Sequence, residues 1–209
     1  MRDIDTINPD TDLSSAHKLT MEVLAKNMSD YAAVVYGDDL PDVLGLSVFD
    51  AADAIGFPML GIGVGGPHIY GGKALGMLLA GDGRYDLTTD SDSDVNNMHI
   101  EVSVTGETHS IFNGVTITSP LYLEDSSGWG DERSYNVHGG VDMPADWTVL
   151  ATLGAGMSLS GQPTIVEFTT PAGTTVMLDG SAGTDDGYVF WLQDRWDILS
   201  NQVAYLLTL

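Results

Sequence analysis

The residues able to do chemistry gather around a glycine turn. Gly61-Ile-Gly-Val-Gly-Gly66 follows a short apolar run and leads into a helical pattern. Consecutive backbone amides at such a start attract an anion or a small ligand. Asp38, Gly63, Val64, Gly65, His68 and His109 are the candidate lining of a cleft beside that turn. Gly61, Gly63 and Gly66 match the spacing of a dinucleotide fingerprint, but the preceding strand lies well inside the chain and no acid follows at the ribose distance, Asp82 falling in a loop. A structural elbow is the expectation.

Asp90, Asp92 and Asp94 alternate with serines, as at the opening of a calcium loop. Val95 stands where such a loop needs glycine, although Glu101 falls at the twelfth place. A solvated acidic loop is therefore expected, with weak calcium binding as the alternative and no other cofactor. His68, His99, His109 and His138 show no metal-ligand spacing and read as structural. Tyr122, Trp129, Tyr135 and Trp147 flank a stretch rich in Gly, Asp and Ser. They suit either a carbohydrate or protein contact surface or plugs that fasten the loop to a sheet.

Thirty acidic residues against seven basic ones give a net charge of −23 in 209 residues. A surface of that sign repels phosphate backbones and anionic headgroups, which argues against nucleic-acid and membrane-surface partners. The acids spread along the whole chain, as in proteins adapted to high salt. No cysteine is present, so thiolate nucleophiles, thiolate metal sites and disulfides are all excluded. No run approaches a membrane span, and no signal or transit peptide is visible at the start. An exported form would have lost its leader or carry it outside these residues.

The elements that must position the turn follow from periodicity. Residues 1–13 read as an extended lead-in and 14–209 as one domain. A helix is expected over 15–28, a strand at 31–36, a helix over 42–55, a strand at 59–62 and a helix over 67–79. This alternation implies parallel strands with crossover helices. The first strand of such a domain is either absent or supplied by Ile4–Ile7. After a polar loop at 81–97, strands are expected at 99–104, 115–119, 149–153, 164–169 and 175–178. A closing helix over 194–207 would turn Trp196, Leu199, Val203, Leu206 and Leu207 toward the core and leave Ser200 and Gln202 wetter.

Four segments, in order, resemble the class I glutamine amidotransferase-like group, including its divergent branch related to trehalose-utilisation proteins. Ser29-Asp-Tyr-Ala-Ala-Val-Val-Tyr36 resembles an early strand of the group, and Ala54 to Gly66 is similar to its strand and nucleophile elbow. Val102 to Gly114, with His109-Ser-Ile-Phe-Asn-Gly114, resembles a later strand and turn. Tyr188-Val-Phe-Trp191 and the helix beginning near Trp196 resemble the closing element. The resemblance spans residues 29–207. It implies an α/β, flavodoxin-like fold: a mainly parallel sheet with helices on both faces and a β-rich second half.

Active members carry a cysteine on the elbow, whereas Gly63 occupies that position here, so no acyl-enzyme can form there. Nor is there a clear His-x-Glu pair near the last strands. The functional expectation is a non-catalytic binding or structural domain, a pseudoenzyme in a protein assembly or with a small ligand. Its setting would be saline: extracellular or virion-associated, or the cytoplasm of a salt-accumulating organism. The alternative is a hydrolase using His68, His109 and Asp38, or a bound metal.

Overall fold

The apolar run before Gly37 forms β1 (Val34–Tyr36), and the chain continues into α1 (Asp42–Asp53), β2 (Met59–Ile62) and α2 (Leu75–Asp82). This computed structural model describes residues 31–37, 42–63, 73–83, 85–92, 98–125, 134–139, 144, 146–181 and 191–209. The lead-in, the helix expected over 15–28 and the start of the helix expected over 67–79 lie outside them. Gly56, at φ 71°, stops α1 by adopting the left-handed conformation that a side chain would oppose. Gly61 is needed for a different reason: a Cβ there would meet Leu75 Cβ at 2.7 Å, so its absence lets α2 lie close on β2.

The second half supplies β3 (Leu87–Thr88), β4 (Ser91–Asp92), β5 (His99–Val102), two 3-10 turns (Gly106–Thr108 and Ser110–Phe112), β6 (Leu121–Tyr122), β7 (Ser134–Tyr135) and β8 (His138–Gly139). It ends with β9 (Thr148–Leu153), β10 (Pro163–Thr169), β11 (Thr175–Asp179) and α3 (Gln193–Leu206). The expected loop at 81–97 thus holds two short strands. The expected strand at 115–119 is not one; the chain there is irregular and pairing resumes at β6.

Seven strands form one mixed sheet in the order β1-β2-β11-β10-β9-β5-β6. β1 and β2 are parallel, as the first-half alternation predicts, and β11 from the second half joins them in parallel. From β11 outward every neighbour is antiparallel, which corrects the expectation of a mainly parallel ladder. The reason lies in the connections. Residues 154–162 and 170–174 are too few for a crossover, which needs a dozen or more, so β9, β10 and β11 fold back as hairpins. β3–β8 and β4–β7 form separate two-stranded ladders.

Side chains alternate along the central strands into two cores. Met59, Val166, Phe168, Val176 and Leu178 join Phe49 and Ala52 of α1 and Leu75 and Leu79 of α2. Leu60, Ile165 and Met177 join Ile111, Phe112 and, from α3, Ile198 and Leu206. The fold is mixed α/β with few helices.

Candidate functional site

Gly63 follows β2 directly, at φ 90° and buried, and its N–H donates to the Asp179 carbonyl at 3.2 Å. The elbow is therefore stitched to the end of β11. At that end the apolar strand Thr175–Asp179 stops on a carboxylate with no exposure to solvent. Asp179 Oδ1 accepts from the Ser181 N–H at 2.9 Å and the Ser181 hydroxyl at 2.6 Å. Oδ2 accepts from Gln202 Nε2 at 2.6 Å and is ion-paired with Arg195 Nη1 at 3.1 Å. Ser181, Arg195 and Gln202 are likewise wholly buried. The Arg195 guanidinium also lies 4.7 Å from the centre of the Trp191 ring, a cation–π contact strengthened by desolvation.

This arrangement corrects the expected facing of α3. Its buried residues are Arg195, Ile198, Gln202 and Leu206, while Trp196 is 42% and Leu207 50% exposed, and Leu199 and Val203 are half-buried. The helix is turned so that two polar side chains reach Asp179. A buried carboxylate without partners costs far more than half-wetting an aliphatic stripe. Sequence reasoning did not join Asp179, Arg195 and Gln202 into a cluster, and it expected Gln202 on the wetter side of the helix. The available signal was an acid closing an apolar strand, and one of only seven basic residues opening the last helix.

Chemically the cluster is a clasp. Both Asp179 oxygens are engaged by donors, so the carboxylate has neither the access nor the spare lone pairs of a general base. Close behind it, Gly180 leaves no room for a side chain: a Cβ would come within 2.6 Å of the Tyr135 carbonyl oxygen. Tyr135 N–H donates to Gly180 O at 3.0 Å, and Thr164 Oγ1 donates to Tyr135 O at 2.8 Å, so β7 is locked onto the same strand end.

His109 has other commitments. Its Nδ1 accepts from the Ile111 N–H at 3.4 Å, which leaves the ring proton on Nε2, 3.8 Å from Glu167 Oε2. The ring meets Tyr205 edge-on at 4.7 Å between centroids. Burial lowers the His109 pKa below its ordinary value, and Glu167 partly offsets this. Burial, with Glu167 as charge and hydrogen-bond partner, pushes the Tyr205 hydroxyl up to about 12. None of these partners belongs to the Gly63 elbow. Asp38, Val64, Gly65 and His68 lie outside the described residues, so the proposed cleft set is represented by Gly63 and His109 alone.

Of the acidic run, Asp94 lies outside the described residues. Asp90 N–H donates to Asn136 Oδ1, the Asn136 backbone N–H donates back to Asp90 O at 3.0 Å, and Asp92 sits in β4, paired with β7. Glu101 accepts from the Ser119 hydroxyl at 2.5 Å. Among the described residues no three His, Asp or Glu side chains converge as a metal site. Of the aromatics, Trp129 lies outside the described residues. Tyr135 is fully buried and Trp147 packs on the first core, so both are plugs, whereas Tyr122 is 47% exposed beside His99.

No helix among the described residues is long and apolar enough to cross a membrane. No protein-family model matches the chain, and no curated protein matches it either. Among solved structures the chain is similar to one described as "mmIFT52 N-terminal domain", at 11% identity and a TM-score of 0.50, over 83% of this chain and 76% of that one. At that identity the likeness is one of fold.

Proposed function

We propose that this chain is a non-catalytic binding or structural domain on a flavodoxin-like, glutamine amidotransferase-like scaffold, with helices over both faces of its sheet. One observation carries the reading. The position where a nucleophile would stand is Gly63, buried, at φ 90°, its N–H tied to Asp179 O, and the Asp179 carboxylate is engaged in the clasp. An acyl-transfer centre needs a nucleophile with a base in reach, and among the described residues neither stands beside Gly63. Of the hydrolase set, His109 is the member among the described residues, and it is engaged with Glu167 and Tyr205 instead. The net charge of −23 suits a saline setting in which the scaffold presents its surface to partners.

The test is ammonia release from glutamine by the purified protein. The expected result is no release above buffer, and none after Gly63→Cys, because a thiol alone lacks its base. Robust release from the unmodified protein would overturn the proposal. Release abolished by His109→Gln would transfer it to the hydrolase reading.

A further inference from the structure

β1 ends the seven-stranded sheet, and β2 is its one strand neighbour among the described residues. Val34 N–H donates inward to Pro58 O at 3.0 Å, so alternation turns the N–H and C=O of Val35 outward. Val34 and Tyr36 belong to the first core, which places the Val35 side chain on the other side with Ala33, and Val35 is 47% exposed.

That side is where α3 lies. Asn201 marks one flank of the helix, donating to the carbonyls of Ile111 at 3.1 Å and Asn113 at 2.8 Å. Leu199 and Val203, two residues to either side, sit about 200° around the helix, on the flank away from Asn201, and pack with Ala33 against the same core. Trp196, packed on Trp191, and Leu207 are 42% and 50% exposed and continue that flank. An apolar strip on α3 and the outward backbone groups of Val35 thus border the same core, the two features that strand addition uses.

We propose that the β1 edge and this flank of α3 dock an extended segment of a partner protein that alternates apolar and basic residues. The charge argument selects the occupant. A second copy would bring another −23 against this one, and the one basic residue of α3, Arg195, is wholly buried. Asp194 and Asp197 are the partly exposed charges of α3. Like charges in juxtaposition oppose docking, and a basic segment is drawn in. The inference rests on the binding role proposed above and gives it a surface. Its failure is separable, since glutaminase activity reports on the elbow and the next experiment on the edge.

The probe is a synthetic peptide alternating valine and lysine, added at about 0.5 M salt to suppress generic attraction. Amide exchange at Val35 is followed with and without peptide, and affinity is read from tryptophan emission. In the protein alone the Val35 amide exchanges fast; saturating peptide slows it about tenfold, and Val35→Pro, which removes the outward donor, weakens binding about tenfold with an unchanged melting temperature. Should the proline variant fail to fold, Val35→Lys, which repels the peptide and keeps the backbone, gives the same loss. A Val35 amide already protected in the protein alone overturns the proposal, as does equal binding by both variants. Protection that grows with protein concentration and no peptide also overturns it, in favour of a second copy.

Discussion

α3 contributes to two acid-centred clusters, and the two behave differently. In one, Arg195 from its first turn and Gln202 from its third hold Asp179 with no solvent exposure on any of the three. In the other, Tyr205 from its last turn shares Glu167 with His109, and the side chains of the His109–Glu167 pair keep 16% and 17% exposure. The first has both oxygens engaged and is a structural clasp. The second has a loose 3.8 Å pair and a histidine with a lowered pKa, so it is able to titrate. Burial and partner count, rather than residue type, separate a structural contact from one that can respond to pH.

The largest expected effect breaks the first cluster. Removing one member of a buried pair leaves the other charged and unsolvated, so Arg195→Met or Asp179→Leu should each cost about 3–5 kcal/mol in urea unfolding. The double variant should cost less than the sum, because both desolvated charges go together. Strict additivity would mean that the pair is not coupled and the clasp reading is wrong.

Next come two neighbours on α3 whose order is the reverse of that suggested by hydrophobicity. Gln202→Ala strips a donor from a buried carboxylate and should cost about 1.5–3 kcal/mol, the range for bonds to charged groups. Leu199→Ala removes a half-buried side chain and should fall below the roughly 2–5 kcal/mol of a fully buried leucine. Chemical denaturation of both variants decides it; a Leu199→Ala loss well above that of Gln202→Ala would restore the expected helix facing.

That reversal also shows what was legible in the sequence. Strand β2 falls at its expected residues and β1, β9, β10 and β11 within a few, because runs such as Val34-Val-Tyr36 and Thr175-Val-Met-Leu178 carry the signal locally. The facing of α3 is not local. Trp196, Leu199, Val203 and Leu207 form the apolar stripe, but Asp179, on another element, decides which side is buried. The direction of the second-half strands is likewise set by the short connections at 154–162 and 170–174 rather than by strand propensity. At the candidate site, Gly63 was legible as a missing nucleophile, while the clasp behind it was assembled from residues that look like surface polar groups.

Salt separates the two kinds of charge. The clasp is dry and should respond little to ionic strength, whereas the exposed acids behind the −23 net charge repel over about 30 Å in dilute buffer and about 3 Å at molar salt. The melting temperature should therefore rise with salt, by a similar increment in the wild type and in Arg195→Met. A flat profile in the wild type would count against salt adaptation.

The smallest effect belongs to the second cluster and is one of pH. Burial depresses the His109 pKa in the folded protein relative to the unfolded chain, with Glu167 on β10 and Tyr205 on α3 as the titratable groups facing it. The unfolded chain therefore binds this proton more readily. The contribution to stability is complete above the unfolded pKa, about 6.5, and is lost as pH falls through the lower folded value. His109→Gln keeps a polar group at the position and removes the titration. Stability of the wild type minus that of His109→Gln should be constant above about pH 7 and should decline on acidification below it. Taking the difference cancels the many carboxylates common to both proteins, whose protonation also relieves charge repulsion. A difference that instead grew as pH fell would mean that protonated His109 gains more from Glu167 than burial takes away, and the second cluster would then be an ion pair in waiting, closer in kind to the Asp179 clasp.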